Sequence, residues 1–177
     1  MFSLGNWRAG RWYTVVTSTF MHHGVIHLVD DLWDLWFYGI PIIILFGLSH
    51  FAGIYILGGI SGGLLRLHFD WLVESEFERL IGGKEWWVQR TAVGAADPVR
   101  ALMMVLALTV PMYKVPFITF PLAHFISGGT VAWCFLYTLG GLLSFWAVDV
   151  PHHGHFGGYV FGACVLGVFL KLALPLL

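Results

Sequence analysis

The sequence predicts an all-α membrane protein, a bundle of about five transmembrane helices, and three observations lead there. Of the 177 residues, 58% are hydrophobic and 11% charged, whereas soluble domains carry about 25% charged residues. The mean hydropathy is +0.80. The apolar residues gather in long stretches of the kind a spanning helix needs, roughly 20 residues each. Most of the chain therefore has no water to face.

The chain opens without the apolar core of a cleaved signal: residues 1–10 hold no such run. Residues 6–13, with Arg8, Arg11, Trp7, Trp12 and Tyr13, are basic and aromatic. That mixture suits a membrane interface, where aromatic rings bridge apolar and polar layers and Arg snorkels. The first candidate helix covers residues 25–37. It carries Asp30, Asp31 and Asp34, so it cannot face lipid on every side. Residues 41–46 are apolar but short and read as a connection. The second helix, 48–67, contains Gly58, Gly59, Gly62 and Gly63. Small residues let helix backbones approach closely in lipid.

The one clearly aqueous stretch follows. Residues 68–90 hold Asp70, Glu74, Glu76, Glu78, Arg79, Lys84, Glu85 and Arg90, with Phe69, Leu72, Val73, Phe77 and Leu80 at helical spacing. We read residues 68–91 as an extramembrane amphipathic insertion on the membrane surface. An ordinary solvated loop helix and a docking surface are the alternatives. The third helix runs from 98 to 110. Residues 115–126, with Pro116, Pro121 and His124, read as irregular or re-entrant, which membrane depth tolerates only against protein. The fourth and fifth helices cover 130–148 and 156–177. No linker, repeat or low-complexity segment divides the chain, so residues 1–177 read as one domain. Arg and Lys occur in nearly every connection, so charge sets no orientation.

Composition also excludes partners. A net charge of −1 offers no footprint for nucleic acid. Cys134 and Cys164 lie in apolar stretches and read as buried thiols, with no disulfide pattern.

Ionisable residues inside membrane segments are costly and mark functional sites by default. They form three clusters: His22, His23, His27, Asp30, Asp31 and Asp34; then Asp97 and Arg100; then Asp149, His152, His153 and His155. His23, His27, Asp31 and Asp34 follow spacings of four, four and three, which share one helix face. A buried hydrogen-bond network is the plain reading. A metal site through His23, His27, Asp31 and the histidines near His155 is a second. No HExxH or paired ExxH supports it, so no metal or cofactor is expected. A catalytic remnant is the third.

The third reading rests on a resemblance. His22 and His27, with Asp31 four residues on, resemble the two histidines and asparagine of the rhomboid intramembrane proteases. Gly94-Ala95-Ala96-Asp97 is similar to that family's GxSG, with Ala96 in the serine's place and Asp97 in the last glycine's. His155, Gly158 and Gly162 match its histidine followed by glycines three and seven residues on. The likeness spans residues 10–170. It implies a rhomboid-like bundle in which His155 is the base, His27 and Asp31 hold oxyanion positions beside His22, and Gly94, Gly158 and Gly162 serve helix packing. The family's first transmembrane helix has no counterpart, since the chain opens in what would be the following loop. The family's glutamate motif is missing from residues 39–47, and Trp12-Tyr13 replaces its Trp-Arg pair.

Such a protease would use Ser as nucleophile and His as base, with side chains donating to the oxyanion. Ala96 has no hydroxyl, so no acyl-enzyme forms. An ionised Asp31 donates nothing: a lost oxyanion donor costs roughly 2.7–4 kcal/mol. A like charge about 4 Å away adds roughly 4 kcal/mol at an effective dielectric of about 20. A protonated Asp31 would still donate. Asp97-Pro98 reads as a helix N-cap with Pro at the first position, and Asp97 and Arg100 are spaced to pair across one turn. The expected function is a pseudoprotease: a multi-pass integral membrane protein that binds other transmembrane helices or is a subunit of a larger membrane complex. One alternative is an intramembrane serine protease with an inactivating Ser-to-Ala change, which explains Ala96 but not Asp31, Asp97 or the missing glutamate. The other is the metal- or cofactor-binding membrane protein.

Overall fold

The computed structural model describes residues 1–81, 93–110 and 152–173. Every regular element among them is helical: α1 (Leu4–Arg8), α2 (Thr14–Thr17), a 3₁₀ turn (Ser18–Phe20), α3 (Val25–Asp34), a π turn (Leu35–Gly39), α4 (Ile40–Phe46), α5 (Leu48–Ile81), α6 (Ala96–Thr109) and α7 (His152–Ala173). The expected helix over 130–148 and the irregular stretch at 115–126 lie outside the described residues, as do Cys134 and Asp149.

Residues 41–46 do not connect two helices as the sequence reading has it. They continue the first one: α3, the π turn and α4 follow one another without a break. Pro41 explains the π geometry. It lacks an N–H and its ring pushes on the carbonyl four residues back, Phe37. The wider π turn around Phe37 absorbs that conflict and the helix goes on. The combined rod is roughly 33 Å long at 1.5 Å per residue, the thickness of a bilayer's hydrocarbon core. It ends at Gly47, whose φ of 87° turns the chain into α5.

Helix α5 also differs from expectation. It does not stop at residue 67 but runs unbroken through the first part of the supposed surface segment, to Ile81. Asp70, read as aqueous, is buried at 8% exposure, and Arg66 at 5%. The two lie one turn apart, with Arg66 Nε 3.5 Å from Asp70 Oδ2. Among the described residues, Leu48–Leu72 is the one stretch long and apolar enough to cross a membrane. Residues 82–91 lie outside the described residues.

Helix α6 is the centre of the fold. Pro98, Val99, Ala101, Leu102, Met103, Val105, Leu106 and Ala107 are all buried, so it is covered nearly all round, as a central apolar helix must be. The core joins it to Tyr38, Ile42, Ile54, Tyr55 and Tyr159. Around α6, α5 and α7 pack through glycines. A Cβ on Gly62 would come within 2.6 Å of Asp97 Cβ, one on Gly157 within 2.8 Å of Gly62 Cα, and one on Gly162 within 2.6 Å of the Ala101 carbonyl oxygen. Gly158 lies against the Asp97 carbonyl oxygen. Ser61 Oγ donates to the Gly157 carbonyl at 3.1 Å across the α5–α7 seam. Cys164 is not the buried thiol expected: it is exposed and free, away from the glycine face of α7.

Large apolar side chains cover much of the outside, among them Val25, Ile26, Trp36, Ile44 and Leu48. In water that surface would be a liability; against lipid it is the ordinary exterior.

The seam gives a direct test. Gly158→Ala should destabilise the protein by about 1–3 kcal/mol, the usual cost of an overpacked core. Gly167→Ala, on the same helix with open space around it, should not. Denaturation of both variants in mild detergent measures the difference.

Candidate functional site

The site is built where the chain enters α6. Gly94 has a φ of 107°, a left-handed conformation that L side chains rarely adopt. Its N–H donates to the Ser18 carbonyl at 3.0 Å, which ties the turn to the segment before α3. The turn aims the next N–H, that of Ala95, at α3. That N–H donates to Asp31 Oδ2 at 2.7 Å.

The same carboxylate oxygen gathers two histidines. His22 Nε2 lies 3.0 Å from Asp31 Oδ2, a close contact that makes no hydrogen bond. His27 Nε2 lies 3.5 Å from it, one helical turn back. The rings of His22 and His27 meet edge to face at 5.3 Å, and His23 stacks on His27 at 6.1 Å. Asp31 itself is 6% exposed. Of the sequence-predicted face, His27 and Asp31 come together as spaced. His23 precedes the helix, Asp30 is exposed, and Asp34 turns to another partner.

That partner is Arg100, whose Nη1 lies 3.4 Å from Asp34 Oδ2. Across-turn pairing with Asp97 was the expectation; the bond found instead joins α3 to α6. Asp97 also departs from its expected capping role. The N-cap is Ala95, Asp97 is inside the first turn, and no side chain caps the helix. The Asp97 carboxylate points into the helix seam, where a Cβ on Gly62 or Gly154 would touch it. Two glycines on different helices make a slot for this one side chain. Arg66 and Arg100 are the cations whose fields act on it.

His155, 7% exposed, faces that slot, its Nε2 3.9 Å from Asp97 Oδ1. Ala96, Asp97 and His155 line a cavity of about 30 Å³ together with Phe2, Thr19 and Gly94. That is room for about one water molecule. The three sequence motifs thus meet around residues 94–97, with His22, His27 and Asp31 on one side and His155 and Gly158 on the other; Gly162 packs further along α6, against Ala101. The side chains of His152 and His153 lie outside the described residues. Among the described residues no group of three or more His, Cys, Asp or Glu is placed to hold a metal ion.

Sequence reasoning missed the Ala95 N–H, because a backbone donor leaves no mark in residue identity. It also missed the Arg66–Asp70 pair, whose signal was the i, i+4 spacing of opposite charges.

Gly94 carries a sharp expectation. An added Cβ would meet His27 Nε2 at 2.7 Å and Asp31 Oδ2 at 2.9 Å, and the backbone conformation costs an L-residue about 1–3 kcal/mol by itself. Gly10→Ala, with a φ of 76° but open space, should show the backbone cost alone. Gly94→Ala should cost clearly more in the same unfolding measurement.

Comparison with known proteins identifies relatives of this chain. The chain is 24% identical to the zebrafish (Danio rerio) Presenilin-associated rhomboid-like protein A, mitochondrial, over 86% of this chain and 36% of that protein. It is 20% identical to the human (Homo sapiens) Presenilin-associated rhomboid-like protein, mitochondrial, over 84% of this chain and 35% of that one. It is 40% identical to the Arabidopsis thaliana RHOMBOID-like protein 9, chloroplastic, over 32% of this chain and 13% of that one. The chain thus spans about a third or less of the length of these relatives. The family model described as Rhomboid domain matches residues 9–172, and with nearly the whole chain so covered, this protein belongs to the rhomboid family.

Proposed function

We propose that this chain is a non-catalytic rhomboid, a multi-pass protein that binds transmembrane helices as a subunit of a larger membrane assembly. One observation carries the reading: the residue that lines the cavity with His155 at the family's serine position is Ala96. A methyl group cannot attack a carbonyl. Asp31 adds to it, since a carboxylate stands where a donor to a developing oxyanion is needed. Asp97 supports it further, as an anion takes the place of the glycine in the family's GxSG.

The exposed apolar side chains of α3, α4 and α5 support lipid contact and helix binding. Relatives named as mitochondrial and chloroplastic support an organellar membrane. Extraction in mild detergent should yield the chain in a complex; recovery as a free monomer alone counts against the subunit role.

The inactivated-protease reading makes a different forecast, because it leaves the rest of the site competent. On the reading proposed here, Ala96→Ser cleaves no helical membrane substrate, and Ala96→Ser with Asp31→Asn stays at least about 100-fold below an active rhomboid, Asp97 still holding the turn. Cleavage by either variant at a rhomboid-like rate would establish the protease reading instead.

A further inference from the structure

The Asp31 carboxylate has the surroundings of a bound ligand. A single oxygen, Oδ2, takes the Ala95 N–H at 2.7 Å, within the short range of charge-assisted bonds, and it lies 3.0 Å from His22 Nε2 and 3.5 Å from His27 Nε2. Three nitrogens from two separate segments converge on it. The turn that presents Ala95 is fixed from both sides, by the Gly94 bond to Ser18 and by the fit of Gly94 against His27 and Asp31.

We propose that Ala95 N–H, His22 and His27 form a receptor for one carboxylate, that Asp31 is its resident occupant, and that the site takes a small free carboxylate such as formate when that side chain is removed. The chemistry selects the ligand class. A backbone N–H can only donate, so the occupant must present a lone pair. The Ala95 bond, at a length typical of charged acceptors, favours an anion over a neutral carbonyl. The burial of Asp31 leaves a volume shaped by a carboxyl group, which formate matches and chloride, a single sphere, does not. While Asp31 is in place, no other anion or carbonyl oxygen reaches the Ala95 N–H. This occupancy is independent of whether the protein is catalytic: cleavage by an Ala96→Ser variant would overturn the functional reading above and leave the carboxylate site standing.

The test is site-resolved hydrogen exchange at the Ala95 amide of the detergent-purified protein. In wild type the amide is protected, and formate changes nothing. In Asp31→Ala it exchanges about tenfold faster or more, as loss of a hydrogen bond to a charged group implies. Sodium formate restores the slow rate there, and sodium chloride at the same concentration does not. An Asp31→Ala amide that ignores formate, or that responds equally to chloride, overturns the proposal. So does a wild-type Ala95 amide that exchanges like an unstructured one. Where Asp31→Ala does not fold, Asp31→Asn keeps an oxygen at the same place. Its Ala95 amide stays protected with and without formate, and loss of protection there also overturns the proposal.

Discussion

Three helices of this protein touch backbone to backbone, and every other feature of the site depends on that contact. Inside a bilayer, apolar side chains gain nothing by leaving lipid for protein, so helices associate through close packing and polar bonds. Dispersion forces fade within an ångström of separation. Gly62, Gly157, Gly158 and Gly162 remove the Cβ atoms that would hold α5, α6 and α7 apart. The same approach brings His155 to the 94–97 turn. It also makes the seam too narrow for any larger residue, so helix positions, and with them the geometry of the polar residues, are set to within a methyl group.

Charge fills the gaps that the glycines leave. Asp97 sits in the slot between Gly62 and Gly154, under the fields of Arg66 and Arg100. Arg66 meets Asp70, and Arg100 meets Asp34. Acids and bases thus alternate from α3 through α6 to α5. Removing one partner of a buried pair costs about 3–5 kcal/mol, because the survivor stays buried and alone. Such pairs add little net stability over a well-packed apolar contact, but they fix which helix faces which. In a bundle where lipid and protein are equally apolar, that selection has few other sources.

Much of this was legible in the sequence, and the failures have physical reasons. The bounds of α6 followed from its apolar run, a local property, whereas the His155, Gly158, Gly162 spacing was read through the family resemblance. Residues 41–46 read as a connection because the apolar run is short, and sequence does not say that a π turn carries the helix past Pro41. Asp97 read as a cap because capping preference is local. Its true position depends on Gly62 and Gly154, distant along the chain. Asp70 read as aqueous because its neighbours downstream are charged. Its burial depends on Arg66 one turn earlier, a pair visible only once both are known to face inward. The convergence on residues 94–97 was legible only through family resemblance, since nothing in the spacing of His27, Ala96 and His155 alone brings them together.

The departures from a serine protease differ in kind, and the difference bears on how the protein is organised. Ala96 subtracts a group and leaves a cavity of about 30 Å³. Asp31 and Asp97 instead add groups that their surroundings have taken up. The first is hydrogen-bonded by the Ala95 amide, and the second occupies a slot and stands opposite two arginines. Exchanging Asp97 for glycine would leave Arg66 and Arg100 with one anion fewer in a medium that penalises unpaired charge. Exchanging Asp31 for a neutral residue would weaken the bond that holds the 94–95 turn to α3. A change that removes is reversed at one position; a change that others have come to depend on is not. On the reading proposed above, the site is a polar brace between helices, in which the residues around 94–97 serve the bundle before they could serve a reaction.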